Sequence, residues 1–475
     1  MSRPLVLGID LGLSGIRSAV MSVDGDVLAV SSRYAVPTAH APGRAEQDPR
    51  DWLDGLAKSV AEVLTGVSPD LIAAIGISAL GPAPVLVDEN LQPLAPALLF
   101  SLDTRAEEQR CRLRDQLGLS DAQLNHDHAI PKLMWWAEQD PDWWLCVDQV
   151  MDATGFLVSS LTGTATMDRI TVEDYQLAGA TSPVRTPEPV EPTAVVGTLT
   201  RDWSERLGLP AETPVLAGIY DSYADTAAAG ALEDGQACLV LGSTLVIAAV
   251  STRIPEDLDG LLTAPHLGSG RLVGGWTTSG GTALAWARRL LADSDSPLQL
   301  DARAQALVPG DGGLIFLPYL AGERSPVHDP HATGAIVGLT HESTPEQVYR
   351  AVLDGVVLSV RDHVERLARA GIRPPSWNVR GGGAGSPALM QGIADALGSP
   401  LHVMEHPSDP GGPCVLALHG LGIDPPVRIQ RTYHPDRTTT VRYDRLYDVY
   451  VELYPSLRGP MHALRRLNHS DGGNL

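Results

Sequence analysis

The sequence predicts an α/β protein made of two domains that share one design. At roughly 100–200 residues per domain, a chain of 475 residues with 44% hydrophobic content can form two large domains or three smaller ones. An apolar strand, a glycine turn and a returning apolar strand open the chain, and the same order recurs after residue 236. We therefore expect an N-terminal domain at 1–230, a C-terminal domain at 236–475, and a boundary within Gly230 to Gly235.

The opening hairpin is the first candidate ligand site. Leu5 to Leu11 is short and apolar, Gly12 and Gly15 bracket a tight turn, and Ile16 to Ser22 returns as a second strand. Such a turn can aim backbone N–H groups at a phosphate, and a carboxylate at Asp10 could then hold a metal ion beside it. Taken alone, the pattern fits equally an ordinary hairpin in which Asp10 stabilises the turn.

The order of elements predicts the fold of each domain. Asp24-Gly25 indicates a turn, and a third strand follows it, so the chain opens with an antiparallel meander. A helix and a buried strand come next, and this order resembles the ribonuclease H-like domain of actin- and hexokinase-type ATPases. We expect two such domains with a cleft between them. The predicted strands are Val27 to Ser32, Leu71 to Ser78 and Pro214 to Ile219, and the predicted loops are Pro37 to Pro49 and Pro183 to Pro192. The predicted helices are Asp51 to Leu64, Asp103 to Leu117, Pro131 to Glu138, Ala224 to Ala231 and Pro387 to Leu397.

Composition limits the partners and the compartment. A formal net charge of −22 argues against nucleic acid and against anionic membrane surfaces. The four cysteines lie singly, which fits a reducing cytoplasm, and the longest apolar stretch, Cys238 to Val250, is too short and too polar to span a bilayer. A cytoplasmic protein without membrane anchor is expected, and a homodimer is compatible with the sequence.

Several motifs in order carry a resemblance to one family. The run Leu317 to Arg324 is followed by Asp329, Gly334 and Gly338, and the glycine-rich run Gly381 to Pro387 follows Tyr349 to Gly355. Earlier in the chain stand Glu46-Gln-Asp-Pro49 and Asp103-Thr-Arg105. Together they resemble the FGGY family of carbohydrate kinases, which includes xylulokinase-, gluconokinase- and glycerol kinase-like members, over nearly the whole chain.

The resemblance implies an enzyme that transfers the γ-phosphate of ATP to a hydroxyl of a small sugar, ketose or polyol, with ATP and Mg²⁺ as cofactors. It implies that Asp221 is the catalytic base and that Asp10 helps to hold Mg²⁺. Asp225 is a rival base, but Asp221 stands at the predicted strand end. The implied nucleotide-binding positions are Gly12, Leu13, Ser14, Arg17, Gly242, Ser243, Thr244, Gly281, Gly382, Gly383, Ala384 and Ser386. The implied substrate-binding positions are Leu80, Gly81, Pro82, Asp103 and Asp221.

Two departures from the family pattern matter for function. Family members usually carry two or three hydroxyl residues in the first turn, whereas this chain has Leu13 and keeps only Ser14. Xylulokinase- and gluconokinase-like members carry Gln-Met-His where this chain has Leu80-Gly81-Pro82, which puts xylulose and gluconate in doubt. These departures motivate an alternative, a catalytically silent protein that keeps the fold. An actin-like ATPase is a further alternative, against which the Leu317 to Arg324 run argues.

Overall fold

The computed structural model describes residues 4–41, 43–100, 102–121, 123–242, 244–268, 270–278, 280–291, 297–405 and 409–470. The strands are β1 (Leu5–Gly12), β2 (Gly15–Ser22), β3 (Val27–Val30), β4 (Ala39–Ala41), β5 (Arg44–Gln47), β6 (Ile72–Ala79), β7 (Val85–Val87), β8 (Ala97–Leu98), β9 (Gln149–Met151), β10 (Met167–Asp168), β11 (Pro189–Val190), β12 (Val195–Thr198), β13 (Pro214–Leu216), β14 (Ile219–Tyr220), β15 (Ala237–Leu241), β16 (Leu245–Ser251), β17 (Leu262–Pro265), β18 (Arg271–Thr277), β19 (Ile315–Leu317), β20 (Ala335–Val337), β21 (Trp377–Arg380), β22 (Leu401–Met404) and β23 (Ile429–Tyr433). The α-helices are α1 (Pro49–Val63), α2 (Glu107–Leu117), α3 (Ala129–Gln139), α4 (Pro141–Trp144), α5 (Ala153–Thr162), α6 (Arg201–Leu207), α7 (Asp221–Ala228), α8 (Gly281–Leu291), α9 (Pro297–Gln305), α10 (Pro345–Arg369), α11 (Pro387–Leu397), α12 (Gly412–Gly420) and α13 (Arg437–Ser470).

The chain forms two compact units. The first comprises Met1–Ala228 and Asp409–Pro426, and the second comprises Ala229–Ser408 and Val427–Leu475. The predicted boundary adjoins the break after Ala228, whereas Asp409–Pro426, predicted as part of the second domain, packs with the first unit. The domain bounds themselves stay a prediction.

A mixed sheet forms the centre of the first unit, in the order β12-β13-β6-β1-β2-β3, with β14 also pairing with β6. Strands β1, β2 and β3 form the predicted antiparallel meander, and β6 joins β1 in parallel after α1. The alternating residues Leu7, Ile9 and Leu11 of β1 pack into one continuous apolar core with residues of α1 and β6. These pairings confirm the predicted fold class for this unit.

Two glycines explain how α12 packs on this sheet. A Cβ atom on Gly8 of β1 would lie 2.5 Å from the Cys414 Sγ, and one on Gly76 of β6 would lie 2.0 Å from the Pro413 carbonyl oxygen. The strands therefore carry no side chain where the helix approaches. This close contact joins a segment from near the end of the chain to the first unit.

The second unit repeats the arrangement. Its sheet has the order β17-β18-β16-β15-β21-β22-β23, in which β15 and β16 form an antiparallel hairpin and β21 lies parallel to β15. Helix α10 runs for 25 residues and begins with a capping box between Thr344 and Gln347. Among the described residues, no helix has the length and apolar character needed to cross a membrane.

Several predicted element bounds were wrong. The expected loop at Pro37 to Pro49 contains β4 and β5, and α7 begins at Asp221 rather than Ala224. Helix α2 begins at Glu107 rather than Asp103. The Asp103 carboxylate instead accepts a hydrogen bond from the backbone N–H of Ala45 and forms an ion pair with Arg105. These contacts join distant parts of the chain, and local sequence does not encode them.

Candidate active site

The first glycine turn joins β1 to β2 and is held from behind by residues of a neighbouring loop. Gly15 has a φ of +139°, and a Cβ atom there would lie 2.2 Å from the Tyr34 carbonyl oxygen, so only glycine fits. The Leu13 side chain is 41% exposed, while its carbonyl oxygen accepts a 3.0 Å hydrogen bond from the Gln47 Nε2. The predicted positions 12–14 therefore present backbone and a small hydroxyl, with no hydroxyl at position 13.

Gln47 is a positioning residue that sequence reasoning missed. It is buried, and its amide group also donates to the Thr38 Oγ1 at 2.8 Å and accepts from the Trp52 Nε1 at 2.8 Å. The side chain thus ties the turn to α1. Its place within Glu46-Gln-Asp-Pro49 was the available signal, but the motif alone does not reveal which backbone group it contacts.

Asp10 lies at the end of β1, next to this turn. Its Oδ1 accepts a 2.8 Å hydrogen bond from the Ser78 hydroxyl of β6, and its Oδ2 lies 3.8 Å from an Arg17 guanidinium nitrogen of β2. Both partners stand opposite Asp10 in the strand registers, so the sheet itself fixes this carboxylate. The predicted sites Asp10 and Arg17 are therefore brought together.

Asp221 is the first residue of α7 and directly follows β14. It is half-buried, and its Oδ1 accepts a 2.6 Å hydrogen bond from the Ser222 backbone N–H. Burial raises the pKa of its carboxyl well above the usual range, and the charges of Asp10 and Asp225 raise it further. Carboxyl groups whose pKa is shifted by burial and by neighbouring charges are candidates for acid–base roles in catalysis.

An apolar wall stands beside β6, formed by Leu80, Gly81 and Pro82. Leu80 and Pro82 are buried, and the Leu80 N–H donates to the Leu11 carbonyl at 2.7 Å. A Cβ atom on Gly81 would lie 1.9 Å from a Tyr220 ring carbon. The Tyr220 ring thus fills the space that a side chain at position 81 would need. Tyr220 directly precedes the candidate base Asp221 in the sequence.

Acidic side chains near Tyr220 form a cluster that was not predicted. The Asp152 carboxylate accepts hydrogen bonds from the Tyr175 hydroxyl at 2.6 Å and the Ala83 N–H at 2.8 Å, and burial raises its pKa to about 7. Burial, with the charges of Asp127 and Asp152, raises the pKa of Asp174 to about 8, while a Tyr220 hydrogen bond opposes this. No short motif indicates this cluster, because its members come from different elements.

Asp103 is fully engaged within the protein. Its carboxylate accepts the Ala45 N–H at 2.8 Å and pairs with Arg105 at 2.8 Å, and Arg105 also pairs with Glu46 at 2.6 Å. The Arg105 guanidinium lies 5.1 Å from the Trp135 ring centroid. Its substrate contact stays a prediction, while its observed contacts hold Arg105 in place.

The second unit carries its own glycine-rich site at the end of β15. The Gly242 carbonyl accepts from the Gly281 N–H at 2.9 Å, and the Gly242 N–H donates to the Thr244 carbonyl at 3.0 Å. A Cβ atom on Gly383 would lie 2.8 Å from the Leu241 Cβ, so the two glycine segments are adjacent. Ser243 lies outside the described residues.

The loop before α11 leaves room for a ligand. Cβ atoms on Gly382 and Gly385 would meet no atom within 4 Å, whereas Ala384 is buried. Ser386 caps α11 through a 3.4 Å contact from the Leu389 N–H to its Oγ. Its hydroxyl therefore supports the helix start, and its predicted ligand contact stays a prediction.

Two α/β units of this design, each with a glycine turn after its first strand, define the class of actin- and hexokinase-type ATPases. The N-terminal domain model of the FGGY family of carbohydrate kinases matches residues 5–228, and the C-terminal domain model matches residues 237–419. The chain therefore belongs to the FGGY family of carbohydrate kinases and is a sugar kinase.

Curated relatives and solved structures agree with this family. A xylulose kinase of Staphylococcus epidermidis is 28% identical, over 96% of this chain and 97% of that protein, and a xylulose kinase of Bacillus subtilis is 26% identical, over 97% and 98%. The crystal structure of a xylulose kinase from Rhodospirillum rubrum has a TM-score of 0.85 at 27% identity, covering 96% of this chain and 100% of that one. A ligand-bound xylulose kinase from Lactobacillus acidophilus has a TM-score of 0.86, covering 96% and 98%, but its 22% identity supports the fold alone.

Proposed function

We propose that the chain is an ATP-dependent kinase that phosphorylates a hydroxyl of a small sugar, ketose or polyol, with Asp221 as general base. The observation that carries this proposal is the environment of Asp221. A half-buried carboxyl of raised pKa stands after a sheet strand, beside the Asp10 charge of the first glycine turn. Phosphoryl transfer requires positioning, charge stabilisation and a carboxylate for the attacking hydroxyl, and these groups can supply all three.

The chemistry assigned to the residues is simple. The substrate O–H bond breaks as its oxygen bonds to the γ-phosphorus, the bond from that phosphorus to ADP breaks, and the proton passes to Asp221. The Ser222 N–H donates to the Asp221 Oδ1, and the other carboxyl oxygen would accept the proton. Backbone N–H groups of the first glycine turn would hold phosphate oxygens.

The first unit offers Mg²⁺ one carboxylate ligand, Asp10. Within the described part of the chain, no cluster of three histidine, cysteine or acidic side chains is arranged to hold a metal ion. Mg²⁺ in nucleotide sites needs only one or two carboxylates beside phosphate and water, and Asp10 provides one, near enough to Asp221 for its charge to raise the pKa of that carboxyl. When bound, Mg²⁺ would neutralise charge on the ATP phosphates, and Asp10 would be its ligand from this chain.

The curated relatives and the apolar wall indicate different substrates. Relatives at 26–28% identity are xylulose kinases, so D-xylulose is the first compound to test. The apolar wall has no donor or acceptor side chain at Leu80, Gly81 and Pro82, where the family resemblance implies Gln-Met-His in xylulokinase-like members. A site discriminates strongly only through hydrogen bonds to particular hydroxyls, so we propose that Leu80 to Pro84 shifts selectivity away from D-xylulose and D-gluconate.

A coupled ADP-release assay across ketoses, polyols and aldonates tests the proposal. We expect sugar-dependent ADP release with at least one neutral polyhydroxyl compound, at higher efficiency than with D-xylulose or D-gluconate. Nucleotide binding without turnover on any compound would favour the silent alternative, which the comparisons do not support. A kcat/KM on D-xylulose that is typical of kinases would contradict the proposed selectivity but not the proposed kinase activity. The assembly state, for which a homodimer stays a prediction, is measured by light scattering.

A further inference from the structure

We propose that Arg33 is a phosphate-binding residue of the first glycine turn, replacing by its guanidinium the hydroxyl that position 13 lacks. The inference rests on the proposed function, because it concerns the same nucleotide. It adds a residue from outside the turn that no motif in the sequence indicates. Four features of the first unit support it.

The first feature is contact with the turn. The Arg33 Nη1 donates a 2.6 Å hydrogen bond to the Ser14 hydroxyl and lies 3.9 Å from the position of a Cβ atom on Gly12. The guanidinium therefore lies over the residues whose backbone would face a phosphate. A guanidinium has five N–H donors in a planar fork, so one bond to Ser14 leaves donors for phosphate oxygens.

The second feature is that the segment carrying Arg33 is held on both sides. Ile16 and Tyr34 exchange two backbone hydrogen bonds of 2.9 Å, which fixes the chain after Arg33. Before it, the Ser32 N–H and hydroxyl donate to the Glu62 carboxylate at 3.0 and 2.9 Å, and the Tyr34 hydroxyl donates to the same carboxylate at 2.8 Å. Glu62 belongs to α1, so the helix holds the residues on both sides of Arg33 and positions this exposed side chain against the turn.

The third feature is the local charge. Burial and the neighbouring Arg17 both lower the pKa of Arg33, and Asp10 opposes them. Two guanidinium groups therefore share one turn, while Asp10 also accepts from Ser78. In a chain of net charge −22, two arginines next to this glycine turn form a local site for an anion.

The fourth feature is the turn itself. The Leu13 side chain is 41% exposed and has no hydrogen-bond donor, and the Leu13 carbonyl oxygen accepts a hydrogen bond from Gln47. The donor that a hydroxyl would supply at position 13 is missing. Arg33, from the segment that packs on Gly15, brings donors to the same turn. The loss at position 13 and the gain at position 33 thus compensate.

The test compares Arg33→Gln with wild type, with Arg33→Lys and with Arg201→Gln as a matched control. Arg201 is exposed on α6 and pairs with Glu205, away from the glycine turn in sequence. Affinities for ATP, ADP and adenosine are measured by titration calorimetry. Hydrogen bonds to charged groups predict that Arg33→Gln weakens ATP binding about 10- to 100-fold, with Arg33→Lys intermediate and adenosine affinity unchanged.

A second variant tests compensation. Leu13→Thr should strengthen ATP binding in the Arg33→Gln background by a larger factor than in wild type, because the hydroxyl and the guanidinium serve the same phosphate. Equal factors in both backgrounds would overturn the compensation. A purely structural Arg33 predicts that ATP and adenosine affinities change by the same factor in Arg33→Gln, and that result, or an unchanged ATP affinity, would overturn the inference. A wild type that binds no ATP would instead refute the proposed function.

Discussion

The substitution Asp221→Asn separates a general base from a residue that merely starts a helix. It keeps the size of the side chain and removes its charge and basicity. A positioned general base contributes roughly 10²–10⁴-fold in rate, or about 3–5 kcal/mol of barrier at 1.36 kcal/mol per decade. We expect kcat to fall by that factor, while affinity for ATP changes little because the glycine turns remain.

The structure also predicts the direction of the stability change. Burial and the charges of Asp10 and Asp225 raise the folded pKa of Asp221, so the folded state holds this proton to higher pH than the unfolded state. Wild-type stability therefore falls as pH rises from the ordinary aspartate pKa through the raised one, and stays reduced above it. Asparagine cannot ionise, so the variant should melt higher than wild type at pH 8, and this advantage should vanish as pH falls towards 4.

The competing role predicts the opposite sign. As the first residue of α7, a charged Asp221 would stabilise the helix N-terminus by about 0.3–1 kcal/mol, and asparagine would lose that amount. Each whole unit of a raised pKa corresponds to about 1.36 kcal/mol in the other direction, so the sign of the change in melting temperature separates the two roles. Steady-state kinetics and melting curves on one preparation, from pH 4 to 8, decide between them. Normal turnover of Asp221→Asn together with a lower melting temperature would refute the assignment of Asp221 as the general base.

A companion variant checks the electrostatic cause. Asp225→Asn removes one of the charges that raise the pKa of Asp221. The acid limb of kcat/KM should therefore move to lower pH, because the base ionises more easily. Turnover at pH 8 should persist, since Asp221 is intact. Loss of turnover at every pH in Asp225→Asn, with normal turnover in Asp221→Asn, would transfer the role to Asp225.

Two further predictions concern packing around the site. Gln47→Leu leaves the Trp52 N–H and the Leu13 carbonyl without their hydrogen-bond partner. The free energy of unfolding should fall by about 1–3 kcal/mol for each of these groups that stays buried, and KM for ATP should rise. Calorimetry and kinetics check this against the exposed Gln92→Leu, and an unchanged melting temperature would contradict it. Gly81→Ala forces a Cβ atom against the Tyr220 ring at 1.9 Å and should cost about 1–3 kcal/mol, measured by urea unfolding. In a Tyr220→Ala background, Gly81→Ala should cost much less than in wild type, and a neutral single variant would show that the ring moves freely.

Local signals determined a good part of the fold. Helix α11 was predicted with its observed bounds, Pro387 to Leu397, because Ser386 caps it, Pro387 opens it and Gly398 ends it with a φ of +61°. The strands around both glycine turns were also predicted, since apolar runs and turn residues specify them locally. The same signals, with the family resemblance, indicated Asp10, Asp221 and the glycine positions as site candidates.

Tertiary structure decided the features that depend on distant residues. The packing of α12 on Gly8 and Gly76, the Tyr220 ring against Gly81, and the Arg33 contact with Ser14 each join segments that no periodicity relates. The period of a strand or helix reports which face is apolar, but not which other segment covers that face or supplies a donor to it. Only the folded chain brings a guanidinium from beyond the third strand to a turn whose own sequence lacks a hydroxyl.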